Sequence, residues 1–205
     1  MLYTQAVSSE ALDLLTKIAH EKTLSDFRLA GGTALALQIG HRISYDLDFF
    51  CFCQTENKEL IRRLSFLKPF RVLYDHESSL ALNINNVKID FVKYAYPFLE
   101  KPQMHDGIAM ASLRDIAAMK IAAITGRGKR RDFVDLFFLL RTFTLQDILS
   151  FYSNKYDDGN EFMALRSLNY FADAEKDPEI VFLNEKPDWE FIKNDISIHV
   201  KKIAG

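Results

Sequence analysis

Tyr45-Asp46-Leu47-Asp48-Phe49-Phe50 is the stretch that decides the fold of this chain. Acidic and apolar residues alternate in it, and side chains two apart on a strand share a face. Asp46 and Asp48 therefore point one way, while Leu47, Phe49 and Cys51 point the other, towards a core. The pattern predicts a strand over 46–52. Two neighbouring carboxylates repel each other unless protons or a cation intervene, which suits a Mg²⁺ site with oxygen ligands. A solvated strand face with two ordinary acids would read the same, because D-x-D is short and common.

The flanks narrow the choice. Upstream, the short apolar run Phe27-Arg28-Leu29-Ala30 leads into Gly31-Gly32-Thr33. A helix is predicted from Thr33 to Ile39, stopped by Gly40. Glycines let backbone approach a ligand, and a helix N-terminus offers free N–H groups to phosphate. A plain strand-to-helix turn with Thr33 as its cap is the alternative. Downstream, strands are predicted over 70–75, 80–84 and 87–94, with Asn85-Asn86 suited to a tight hairpin. Within Val87–Val92, Ile89 and Phe91 face one side and Asp90 the other. Asp90 can thus meet Asp46 and Asp48 across the sheet, and three acids are what two-metal phosphoryl transfer needs. Taken alone, Asp90 reads as a plain edge-strand aspartate.

Further helices are expected over 9–20, capped by Ser8 or Ser9, and over 57–67; Pro97 and Pro102 break regularity. From Ser112 onward the pattern is helical: 113–125, opened by a capping box of Ser112 and Asp115, then 130–141, then a helix capped by Thr144 and Asp147, then 160–173 and 188–202, the last capped by Asp188. The class is α+β: a mixed sheet flanked by helices over 1–111, then a helical region over 112–205 that completes the active site, with a soft boundary. Lys120 shares a buried stripe with Ile116 and Ile124, so it either snorkels or meets an anion such as triphosphate. Asp135 lies in a helix that is apolar almost all round and needs a partner. Arg131, one turn earlier, is one candidate; Lys120 or a nucleotide is the other. Asp132, nearer the helix start, suits the macrodipole. Arg42 can contact phosphate or pair with Asp46 or Glu56. Arg127, Lys129, Arg130 and Arg131 form a basic cluster that could hold RNA or simply face solvent.

The chain has 205 residues, 48% apolar and 26% charged, with a formal net charge of −2, which argues against coating nucleic acid by bulk charge. Cys51 and Cys53 are the only cysteines, too few for a disulfide framework. They are expected as small buried thiols in a reducing compartment. The N-terminus lacks a signal pattern, and no apolar run approaches the roughly 20 residues that span a bilayer, so a cytoplasmic location without membrane association is expected.

Three ordered pieces, Leu29–Gln38, His41-Arg42-Ile43-Ser44 and Asp46-Leu47-Asp48-Phe49-Phe50, closely resemble the AbiEii/AbiGii toxin family of the polymerase-β-like nucleotidyltransferase superfamily. A second signature does so too: Lys120, Arg127 and Arg131-Asp132-Phe133-Val134-Asp135-Leu136. The likeness covers about residues 28–141. It implies that Gly32 and Thr33 cradle the triphosphate, Thr33 keeping the hydroxyl of the family's serine; Gly31 and Arg42, read from their own positions, are expected to bind the nucleotide with them. It implies that Asp46, Asp48 and Asp90 ligate Mg²⁺, with two ions. Lys120 then contacts the nucleotide, and Asp135, or else Asp132, is the late functional aspartate. The activity implied is transfer of a nucleoside monophosphate from an NTP to a hydroxyl, with tRNA or another RNA as acceptor, by a bacterial toxin that has an antitoxin partner. A non-catalytic nucleotide- or RNA-binding module, and an adenylyltransferase acting on small molecules such as antibiotics, remain the competing readings.

Overall fold

The computed structural model describes residues 1–204. Its strands are β1 (Arg28–Leu29), β2 (Leu47–Cys51), β3 (Arg71–His76), β4 (Ser79–Ile84), β5 (Val87–Lys93), β6 (Gln103–His105) and β7 (Ile108–Met110). They form one sheet in the order β3-β4-β5-β2-β1-β7-β6. β2 runs parallel to β5 and β1 parallel to β7, while the other pairs are antiparallel. The sheet is therefore mixed, as the α+β reading requires.

Alternation in β2 and β5 works as expected. Leu47, Phe49 and Cys51 are buried, as are Val87, Ile89 and Phe91, and the residues between them are partly open. The register sets Phe49 beside Phe91, with rings stacked 5.3 Å apart, and on the other face sets Asp48 beside Asp90. The parallel pairing of two sequence-distant strands thus brings two acids together. Asn85 and Asn86, at φ 50° and 65°, make the hairpin between β4 and β5. The hairpin of β6 and β7 was not expected; Asp106 and Gly107, at φ 49° and 82°, turn it.

The helices are α1 (Ser9–Ala19), α2 (Gly31–Ile39), α3 (Asn57–Arg63), α4 (Leu113–Gly126), α5 (Arg130–Leu139), α6 (Leu145–Lys155), α7 (Glu161–Ser167) and α8 (Trp189–Ala204). Ser8 caps α1, Thr144 and Asp147 close a full capping box on α6, and the Asp188 carboxylate accepts from the Phe191 N–H at 3.0 Å to cap α8. Two expected helices are shorter. The one over 57–67 tightens into a 3₁₀ turn at Leu64–Leu67, and the one over 160–173 stops at Ser167. Ser112 caps α4, but Asp115 does not complete the box. Its buried carboxylate instead accepts from the Leu99 and Glu100 N–H groups and from Lys155 at 2.7 Å.

One apolar cluster contains Leu29, Leu47 and Phe91 from the sheet and Ile116, Phe133 and Ile148 from the later helices. α4 packs on α2, α5, α6 and α7, and α5 on α2 and α8. The two cysteines correct the sequence reading. The chain bends after β2, bringing the Cys53 sulfur back to Cys51, and the two are joined as a disulfide with a Cα–Cα distance of 5.3 Å. Among the described residues, no helix is long and apolar enough to cross a membrane.

Candidate active site

A cavity of about 280 Å³ opens between the faces of β2 and β5, the start of α2 and the sides of α4 and α5. Asp46, Asp48 and Asp90 all line it, together with Gly31, Gly32, Arg42, Lys88, Lys120, Arg127 and Arg131. Burial, then the charges of Asp90 and Asp46, push the Asp48 carboxyl up to about 6. The three acids do not stand as a finished cluster. Among the described residues, no three His, Cys, Asp or Glu side chains are gathered tightly enough to hold an ion. The reason is local: the chain's own cations hold the outer two. Asp46 lies just before β2 and faces Arg131 at 3.6 Å, and Asp90 is paired with Lys88 two residues earlier on its own strand.

Gly31 and Gly32 line the cavity as the first two residues of α2, which starts two residues before the predicted Thr33. Gly31 has φ +65°, and a Cβ there would come within 2.9 Å of Asp48 Oδ2. A Cβ on Gly32 would collide with the Arg42 guanidinium. Both positions thus exclude larger residues, and the first N–H groups of α2 stay open beside the acids. Thr33 departs from the expectation. It is 1% exposed, and its hydroxyl bonds Ser44 Oγ at 2.7 Å and donates to the Asp46 carbonyl. The hydroxyl therefore ties α2 to the chain entering β2 and is not free for a ligand.

Behind the cavity lies a buried charge network. Arg42 clamps Asp135 through two bonds, Nε to Oδ1 at 2.6 Å and Nη2 to Oδ2 at 2.9 Å. Lys120 Nζ sits 2.6 Å from Asp135 Oδ2 and 2.9 Å from Asp132 Oδ1. Arg127 Nε donates to Asp132 at 3.2 Å, and His41 Nε2 lies 2.7 Å from Asp135 Oδ1. Burial opposes charge here and is overcome. Asp135 is held well below the usual carboxylate range by Arg42 and Lys120, and Lys120 is raised by Asp135 and Asp132. The anion that the buried lysine needs is thus internal. Arg131 does not partner Asp135; its guanidinium reaches Asp46 instead. Arg42 pairs with neither Asp46 nor Glu56.

Sequence reasoning passed over His41 and Lys88. His41 adjoins Arg42, but its partner is 94 residues away. Lys88 shares a strand face with Asp90 at i, i+2, a spacing visible in the sequence. Phe50 and Val92, register partners two residues beyond Asp48 and Asp90, form an apolar wall with Met119.

A mixed sheet presenting three carboxylates to a glycine-opened helix start, with buried cations behind, defines a nucleotidyltransferase class of site. The family model described as "Nucleotidyl transferase AbiEii toxin, Type IV TA system" matches residues 13–202. The chain belongs to that family. It is 34% identical over 202 residues to an uncharacterized protein of Aquifex aeolicus (strain VF5), covering 96% of this chain and 97% of that one. Among solved structures, one described as a nucleotidyltransferase from H. pylori shares the fold with a TM-score of 0.61 and 22% identity, over 96% of this chain and 95% of its own. MenT4, a nucleotidyltransferase toxin from Mycobacterium tuberculosis H37Rv, gives a TM-score of 0.51 at 13% identity, over 95% and 86% of the two chains.

Proposed function

We propose that this protein transfers a nucleoside monophosphate from an NTP to a hydroxyl on an RNA acceptor, acting as a growth-restraining toxin countered by an antitoxin. The observation that carries the reading is the meeting of Asp46, Asp48 and Asp90 with Gly31, Gly32, Arg42 and Lys120 around one cavity. The open N–H groups of Gly31, Gly32 and Thr33 bind phosphate oxygens at the positive end of α2. Arg42 and Lys120, fixed by Asp135, add positive charge that neither group can swing away. The apolar wall of Phe50, Val92 and Met119 accepts the flat face of a base. Exposed Arg127 and Arg131 on the cavity wall, with exposed Lys129 in the same stretch of chain, supply charge for an RNA backbone.

Three carboxylates fit Mg²⁺ as hard oxygen ligands, once Lys88 and Arg131 release Asp90 and Asp46. Bound there, Mg²⁺ would neutralise phosphate charge and favour the ionised hydroxyl. In the transfer, the acceptor oxygen forms a new bond to the α-phosphorus, the bond to the bridging oxygen breaks, and pyrophosphate leaves. The hydroxyl proton passes to a carboxylate of the trio. As Arg131 and Lys88 are freed from carboxylates, both can turn to phosphate.

The test is incubation of purified protein with labelled NTPs, Mg²⁺ and either total RNA or small hydroxylated acceptors. Label is expected on RNA and should vanish in Asp48→Asn. Label on small molecules alone would favour the antibiotic-modifying alternative. NTP binding without transfer, unchanged in Asp48→Ala, would favour a non-catalytic module.

A further inference from the structure

Asp135 has three side-chain partners, and only Arg42 and Lys120 reach the catalytic cavity; His41 supports the carboxylate from behind. The His41 side chain is 1% exposed and that of Asp135 0%. His41 Nδ1 is buried with no hydrogen-bond partner, so the ring hydrogen belongs on Nε2, where it donates to Asp135 Oδ1. Protonating Nδ1 would bury a charged N–H with nothing to accept it, and burial accordingly lowers the basicity of the ring. Phe138 fixes the imidazole plane, with ring centroids 5.0 Å apart.

The carboxylate's rotation is therefore set by four donations. Oδ1 is shared by His41 and Arg42 Nε, and Oδ2 by Arg42 Nη2 and Lys120. Two of the three partners are cations, and a third cation would repel both. A neutral ring fills the remaining lone pair without adding charge.

We propose that His41 is a positioning residue for triphosphate binding: as a neutral Nε2–H donor it locks the Asp135 carboxylate in the rotation that holds Arg42 and Lys120 at the cavity wall. This rests on the reading that the cavity binds an NTP. Gln places an amide N–H near the position of Nε2, whereas Asn is too short to reach Asp135, and Phe keeps the ring without the donor.

The four NTPs, each with Mg²⁺, are titrated calorimetrically into wild type, His41→Phe, His41→Gln and His41→Asn. His41→Phe and His41→Asn should weaken NTP affinity about tenfold, the scale expected for loosening hydrogen bonds to charged groups, and His41→Gln should stay within about threefold of wild type. If His41→Phe does not fold, the Gln and Asn pair decides. Full affinity in His41→Phe or His41→Asn, or equal losses in Gln and Asn, overturns the assignment of His41 while leaving the nucleotide reading intact. A wild-type protein that binds no NTP overturns both.

Discussion

Asp48 holds its proton more tightly in the native protein, at about 6, than at the ordinary value of 3.8. The native state therefore binds the extra proton between those values, and stability falls as pH rises through them. A shift of this size is worth about 3 kcal/mol at full burial, and partial exposure reduces it to about 1–2 kcal/mol. Asp48→Asn should thus stabilise the metal-free protein by about 1–2 kcal/mol near pH 8 and by almost nothing near pH 4, while abolishing transfer. Urea unfolding at the two pH values checks this; equal stability of both proteins at the higher pH would remove the proposed charge crowding. Asp135 behaves in the opposite sense. Its lowered pKa means that its stabilisation is present above the ordinary carboxylate range and is lost as pH falls through its depressed value. Asp135→Asn leaves Arg42 and Lys120 buried beside a neutral amide and should cost about 3–5 kcal/mol in urea unfolding. Asp132→Asn should cost less, because its partner Arg127 is half exposed and can turn to water. At this scale the sequence was legible where chemistry is local. Asp48 and Asp90 were placed by strand alternation, and Gly31 by the turn it must make. Of the partners of Asp135, Lys120 was legible as one of two candidates, whereas His41 and Arg42 were not, because the segment between α2 and β2 meets α5 only in the folded chain.

Elements with their own start and stop signals were read correctly. Ser8, Thr144 and Asp188 cap α1, α6 and α8 by side-chain bonds that depend only on residues three positions away. Thr144→Ala removes the capping-box donor and acceptor at an exposed helix start, and should cost about 1 kcal/mol in thermal or urea unfolding. The β6–β7 hairpin escaped because strands of three residues are too short to show alternation, although Asp106-Gly107 is a strong turn pair. Asp115 illustrates the opposite failure. Its position three after Ser112 fits a capping box, but a buried lysine from α6 outcompetes that role. Lys155 Nζ bonds Asp115 Oδ1 at 2.7 Å and the Pro97 carbonyl at 2.8 Å, so it ties α6 to α4 and to the chain leaving β5. Lys155→Met should destabilise the protein by about 2–3 kcal/mol, less than a fully orphaned charge, because Asp115 keeps Ser112 and two backbone donors. Unchanged unfolding in that variant would show that the bond adds nothing net.

For the whole molecule, the question is whether the segments before and after residue 111 are separate folding units. The candidate active-site cavity argues that they act as one. Its acids come from β2, from the residue just before it and from β5, while Lys120 comes from α4 and the Asp135 that holds it from α5. Either segment alone would leave half of a charge network buried or solvated without its partners. The apolar cluster runs through both, with Leu35, Ile89 and Phe91 in the same body as Ile121, Phe133 and Leu136. A boundary drawn through such a core would expose large apolar faces on both fragments. We therefore expect one cooperative transition. Trp189, the single tryptophan, lies on α8 and reports the later segment by fluorescence, while hydrogen exchange of the β2 and β5 amides reports the earlier one. In urea the two midpoints should coincide, with an NTP and Mg²⁺ raising both together by mass action. Midpoints that separate, with the β2 and β5 amides still protected after Trp189 is exposed, would divide the chain into two domains and make the late helices an appendage that docks onto an already folded sheet.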